Sequence, residues 1–176
     1  MVFVDETGAS TAMHRPCGYA PKGERLHAHV PHGGWETATF LGALTTEGVI
    51  APWAQDEPMT ANVFQAWIDQ RLVPLLKPKM VVVMDNLSSH TGPGIRRSIE
   101  AADCRLVYLP PYSPDLNPIE RMYSKFKRLL KSAAARTLED VYQAMRDAIQ
   151  CILPSECLNY ITDCGHPSAT LTCNPL

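Results

Sequence analysis

With 176 residues, 45% of them hydrophobic and 19% charged, the chain has the balance of one globular domain, which excludes wholesale disorder. No apolar run reaches the roughly 20 residues that cross a bilayer, and the opening MVFVD lacks the basic start of a secretory leader. The formal net charge of −2 does not mark a general nucleic-acid binder, yet six basic residues and no acidic one fall between Arg121 and Arg136.

Residues 1–5 predict a short strand ending at Asp5, and residues 8–34 a glycine-rich loop that carries Arg15, Lys22 and Arg25. Residues 36–44 and 48–53 read as two strands joined by a turn at Thr46, Glu47 and Gly48. Thr60 can cap a helix to about Leu76, with Val63, Phe64, Trp67, Ile68, Leu72 and Leu75 at helical spacing. The unbroken apolar run over 80–84, between Pro78 and Asp85, predicts a central strand buried on both faces. A helix over 93–102 and a strand over 104–109 follow. Four prolines then stiffen residues 110–118, ahead of a helix whose apolar stripe is Ile119, Met122, Tyr123, Phe126, Leu129 and Leu130. Helices near 137–152 and 154–162 complete the set, and the last ten residues are expected to be loose. A hairpin followed by strand–helix–strand–helix predicts an α/β layer fold with a mixed sheet.

Six cysteines (Cys17, Cys104, Cys151, Cys157, Cys164 and Cys173) without a C-x-x-C pair are expected to stay reduced. Four of them gather with His166 between 151 and 173, but their spacing matches no zinc pattern. His27, His29 and His32 sit in a loop where nothing fixes converging ligands. Ser88, Ser89 and His90 lack the G-x-S-x-G elbow of a serine nucleophile.

Three acidic residues fall where a sheet-based site wants them. Asp5 closes the first strand, Asp85 closes the most buried one, and Glu120 opens the helix after the proline loop. Gathered carboxylates repel one another, and hard divalent cations relieve that repulsion. Each residue also has a plainer reading. An Asp at a strand end is commonly a turn residue, and Asn117-Pro118-Ile119-Glu120 fits an N-cap, proline at N1 and the acidic partner of a capping box.

Taken together, Asp5-Glu6-Thr7, the stretch MDNLSSH ending at His90 and the stretch LPPYSPDLNPIE ending at Glu120 resemble the catalytic domain of mariner-like insertion-sequence DDE transposases. The 34 residues between Asp85 and Glu120 match the spacing of the family's bacterial branch. The resemblance implies a ribonuclease-H-like fold: a five-stranded mixed sheet with helices on both faces, over residues 1–166, with 167–176 as a tail. It implies Asp5, Asp85 and Glu120 as the catalytic, metal-binding triad, with Mg²⁺ or Mn²⁺, two ions, as cofactor. Glu6 competes for the first position, but strand alternation sets it on the face opposite Asp5. Asp115 competes for the third, where the family pattern reserves the role for Glu120. Asn86 and His90 match positions that orient the second carboxylate or contact the scissile phosphate.

Arg121, Lys125 and Arg128 recur on one face of the Glu120 helix, and with Lys127 and Lys131 make a basic patch for DNA phosphates or simply a solvated face. The resemblance implies cleavage at transposon ends and strand transfer into target DNA at a TA dinucleotide, in the bacterial cytoplasm at the nucleoid. Related transposases carry an amino-terminal helix-turn-helix, expected here to be absent or encoded separately. A homodimer would bring two ends together. A non-catalytic remnant or DNA-binding accessory is the alternative, and a stand-alone ribonuclease-H-like nuclease a third reading.

Overall fold

The computed structural model describes residues 1–27, 29–87 and 90–167. Five strands form one sheet: β1 (Val2–Ser10), β2 (Thr37–Thr45), β3 (Gly48–Gln55), β4 (Val81–Met84) and β5 (Arg105–Tyr108), in the order β3-β2-β1-β4-β5. β1 pairs antiparallel with β2 and β2 with β3, whereas β1–β4 and β4–β5 are parallel, so the sheet is mixed. The helices are α1 (Ala61–Trp67), α2 (Pro93–Ala101), α3 (Pro118–Ala133), α4 (Leu138–Gln150) and α5 (Pro154–Asp163).

Strand alternation splits the core into two layers. Phe3, Phe40 and Val83 face Ile119, Met122, Tyr123 and Phe126 of α3, Met145 of α4 and Ile161 of α5. Val2, Val4, Val82 and Met84 face Phe64 and Trp67 of α1, and Ile95 and Ile99 of α2. Helices therefore cover both faces, and the central strands are buried on both sides as their apolar runs predict. This is the ribonuclease-H-like arrangement.

Two elements differ from the sequence reading. β1 does not end at Asp5 but runs on to Ser10, because β2 pairs with it as far as Ser10↔Thr37. The helix begun by Thr60, whose hydroxyl accepts from the Val63 N–H at 3.3 Å, stays α-helical only to Trp67. It then widens to a π-turn at Ile68–Leu72 and tightens to a 3₁₀ turn at Val73–Leu75. Pro74 explains the break: it has no N–H to give, and its ring crowds the preceding turn. Leu75 consequently leaves the buried stripe and is half exposed.

Cys17, Cys104, Cys151, Cys157 and Cys164 are free thiols, with Cys104, Cys157 and Cys164 buried. Cys173, Ser88, Ser89 and the tail beyond Pro167 lie outside the described residues. His27, His29 and His32 are exposed. Among the described residues no helix is long and apolar enough to cross a membrane.

Candidate active site

β1 and β4 run parallel through Val2↔Val82, Phe3↔Val83 and Val4↔Met84, and the next residues are Asp5 and Asp85. There β4 stops while β1 continues against β2, so a cleft opens where the parallel pairing ends. Asp5 thus marks the end of a ladder rather than of a strand. Glu120, in the first turn of α3, reaches the same cleft. The cleft has a volume of about 390 Å³ and is lined by Asp5, Asp85, Asn86, Leu87, Asn117, Glu120 and the 109–114 loop. Asp115 is exposed in the Pro114–Leu116 turn and does not line it.

The buried Asp5 is held at three atoms. Its Oδ1 accepts the Glu6 N–H at 2.8 Å, its Oδ2 accepts the Asn117 Nδ2–H at 3.1 Å, and its backbone oxygen accepts the Tyr123 hydroxyl. Burial pushes its carboxyl up, the Glu6 N–H pulls it partly back, and the charges of Asp85 and Glu120 push it further, to about 7. Burial first, and then the charges of Asp5, Glu6 and Glu120, hold the Tyr123 hydroxyl protonated, well above its ordinary range, so it remains a donor.

Glu6 and Asp85 are joined by His90. The imidazole is fully buried, with Nε2 2.7 Å from Glu6 Oε2 and Nδ1 against Asp85 Oδ1. Its ring stacks on Phe64 at 4.1 Å between centroids, and its backbone oxygen accepts the Tyr108 hydroxyl at 2.8 Å. Burial alone would lower the imidazole, but the hydrogen bonds to Asp85 and Glu6 and their charges carry it up to about 9. At neutral pH it is an imidazolium bridging two carboxylates. Glu6 therefore belongs to this bridge, on the sheet face opposite Asp5, as alternation predicts.

The capping-box reading of Glu120 does not hold. Asn117 makes no side-chain cap hydrogen bond, and its own N–H donates to Pro114 O at 2.9 Å. Its side chain turns to Asp5, leaving the Glu120 carboxylate exposed at the cleft. Sequence reasoning assigned Asn117 only a capping role. No local signal sets the cap aside, because Pro118 at N1 leaves the N2 and N3 N–H groups that an N-cap side chain would satisfy. Tyr112 also escaped notice: it stands fully exposed on the cleft rim with a positive φ of 56°. His166, which the sequence sets beside the cysteines, instead has its Nε2 2.7 Å from Leu116 O and fastens the end of α5 to the turn before α3.

The basic residues of α3 divide. Lys125 is turned inward, its Nζ 2.6 Å from Glu156 Oε2 and 2.7 Å from Cys151 O, so it ties α3 to α5 and is withdrawn from the phosphate-contacting set. Arg128 is exposed, Lys127 and Lys131 are half exposed, and Arg121 lies 4.0 Å from Asp163. We expect Lys125→Ala to cost about 1 kcal/mol of stability while leaving DNA affinity unchanged. Urea unfolding beside a DNA titration checks both.

A family model described as DDE superfamily endonuclease matches residues 1–142. The transposase of transposable element Tc1 from Caenorhabditis elegans is 28% identical over 149 residues, covering 80% of this chain and 52% of that protein. The Tcb1 element transposase of Caenorhabditis briggsae is 26% identical over 133 residues, covering 69% of this chain and 42% of that protein. The chain thus spans about half the length of these curated relatives. Among solved structures, a Mos1 transposase paired-end complex with its left transposon end superposes with a TM-score of 0.73 at 18% identity, over 93% of this chain and 51% of that one. The catalytic domain of Mos1 mariner transposase gives 0.64 at 16% identity, over 93% and 74%. The structural likenesses carry the ribonuclease-H-like fold, and the match over residues 1–142 places the chain in the DDE superfamily endonuclease family.

Proposed function

We propose that residues 1–166 are the catalytic domain of a transposase that cuts DNA at transposon ends and joins the freed end to target DNA. The carrying observation is the meeting of Asp5, Asp85 and Glu120 in one cleft where the β1–β4 ladder ends. Among the described residues no three or more His, Cys, Asp or Glu side chains converge as a closed cage. The donor set nevertheless fits a hard divalent ion: oxygen atoms throughout, net negative charge, and a buried Asp5 raised by its neighbours.

Asp5, Asp85 and Glu120 would hold Mg²⁺ or Mn²⁺, two ions in our reading. Solved structures of the Mos1 catalytic domain are described with Mg in one case and Mn in another. Bound there, such ions supply Lewis-acid stabilisation of the phosphoryl oxygens and an activated water. In the cutting step a water oxygen attacks phosphorus, the bond from phosphorus to the 3′ oxygen breaks, and that oxygen leaves with a proton as the free 3′-hydroxyl. In the joining step the 3′-hydroxyl of the transposon end replaces water, attacks a target phosphodiester and displaces its 3′ oxygen. His90 holds Asp85 through Nδ1 and is itself fixed by Glu6 and Phe64. Asn86 lines the cleft wall, and in this reading it would contact the scissile phosphate.

Arg121, Lys127, Arg128 and Lys131, which follow Glu120 along α3, would serve as phosphate contacts. The 34-residue interval supports an origin in a bacterial insertion sequence, with a TA target, a helix-turn-helix DNA-binding module as partner, a homodimer and a location at the nucleoid in the bacterial cytoplasm as parts of the same proposal. The test is nicking of a transposon-end duplex with Mg²⁺, Mn²⁺ or EDTA, with a helix-turn-helix subunit supplied. We expect nicking only with a divalent ion. Nicking undiminished in EDTA, or none in either metal, overturns the reading.

The basic residues have a separate check. Replacing Arg121, Lys127, Arg128 and Lys131 with Ala should weaken binding equally for inverted-repeat and scrambled duplexes. It should also flatten the salt slope by about 0.9 for each phosphate no longer neutralised. A loss of affinity confined to the inverted repeat would instead place sequence readout on α3.

A further inference from the structure

Asn117 has an amide with one end employed and the other idle. Its Nδ2–H donates to Asp5 Oδ2 at 3.1 Å, while its Oδ1 is buried and has no hydrogen-bond partner. It is the only such buried side-chain atom among the described residues. Buried acceptors are nearly always satisfied in native proteins, so an orphan needs a reason. Rotating the amide would not rescue it, because Oδ1 would then face the Asp5 carboxylate. Capping α3 would have used it, yet the side chain forgoes that bond although Asn117 sits at the N-cap with extended backbone, φ −105° and ψ 98°. The residue also lines the cleft that holds Asp5, Asp85 and Glu120.

We infer that Asn117 is a further oxygen donor of this metal site: its Oδ1 accepts a hydrogen bond from a water carried by the cation, while its Nδ2 fixes Asp5. This rests on the proposed metal-dependent reading of the cleft. A bound cation brings tightly held waters whose hydrogens point outward, and Mg²⁺ in particular keeps several of them. A neutral carbonyl oxygen beside a carboxylate is suited to take one without adding to the negative charge. Such a water would give the buried Oδ1 the partner that no protein group supplies. Groups that touch a metal's ligands in this way alter its affinity about 10–100-fold when removed.

The full chain is titrated with Mn²⁺, free ion being followed by electron paramagnetic resonance, and metal-free melting is measured alongside. Asn117→Leu keeps bulk and removes both amide ends, while Asn117→Asp keeps acceptor oxygens and removes the donor. We expect Mn²⁺ affinity to run Asp at least equal to Asn, with Leu weaker by about 10–100-fold. Metal-free melting should run the other way, with Asp lowest because it adds a fourth carboxylate and Leu near wild type. A purely structural role would make affinity follow stability, and that order overturns the inference. So does wild-type affinity in Asn117→Leu. If Asn117→Leu does not fold, Asn117→Ala removes the same atoms without strain and takes its place. Asp85→Asn serves as control. Wild type binding no more Mn²⁺ than this control removes the metal-site reading itself, and the inference with it. Wild-type binding lost in Asp85→Asn but kept in Asn117→Leu removes the inference alone.

Discussion

Asp85→Asn should abolish divalent-metal-dependent nicking, by about 10³-fold or more, in a protein that still folds but melts at a lower temperature. An amide keeps the shape of the carboxylate but not the charge that a hard cation needs, and the loss of several kcal/mol of transition-state stabilisation is worth tenfold per about 1.4 kcal/mol. Asp85 is partly exposed and follows the end of β4, so strand pairing does not need its charge, but its Oδ1 is one of the two partners of the buried His90 imidazolium, and the amide weakens that bridge. Glu120→Gln should lose nicking alike but keep the wild-type melting temperature, since Glu120 is exposed and the cap at α3 does not use it. Nicking of a transposon-end duplex together with thermal melting decides between roles. Wild-type nicking by either variant removes that residue from the triad, and a fall in melting temperature without loss of nicking would return Glu120 to helix capping.

Asp5→Asn should have two opposite effects: it abolishes nicking and stabilises the metal-free fold at alkaline pH. The Asp5 carboxyl is raised from 3.8 to about 7 by burial first and by Asp85 and Glu120 next. Between those values the folded state binds more protons than the unfolded chain, so this group's contribution to stability is full below pH 4 and is lost as pH rises through 7. At pH 8 in EDTA the buried charge costs roughly 3–5 kcal/mol. Asparagine removes that charge, and Asn117 can turn its idle Oδ1 towards the new amide. Melting in EDTA should therefore rise by about 5 °C or more at pH 8, with the gain fading towards pH 4. Mg²⁺ should raise the melting temperature of wild type and leave the variant unmoved. A variant that melts at or below wild type at pH 8 would show that Asp5 is comfortable as an ion without metal.

Features encoded by local chemistry and periodicity are legible in the chain alone. The alternation in β1 separates Phe3 from Val2 and Val4, the 3.6-residue stripe of α3 buries Ile119, Met122, Tyr123, Phe126 and Leu130, and the apolar run of β4 needs cover on both faces. The stretches around Asp5, Asp85 and Glu120, with 34 residues between the last two, nominate the three carboxylates through their resemblance to the transposase family.

Features that depend on a partner distant in sequence emerge only in the folded molecule. β1 outruns Asp5 because β2 is there to pair with it, and no pattern within residues 1–10 contains that partner. Lys125 reads as one of a row of surface cations, yet Glu156 on another helix claims it. His90 finds Glu6 across 84 residues, and Asn117 finds Asp5 across 112. Side chains such as these can serve two purposes, a local cap or a distant hydrogen bond, a solvated charge or an ion pair. The two differ by only about a kcal/mol in local preference, so the packing of distant elements selects between them.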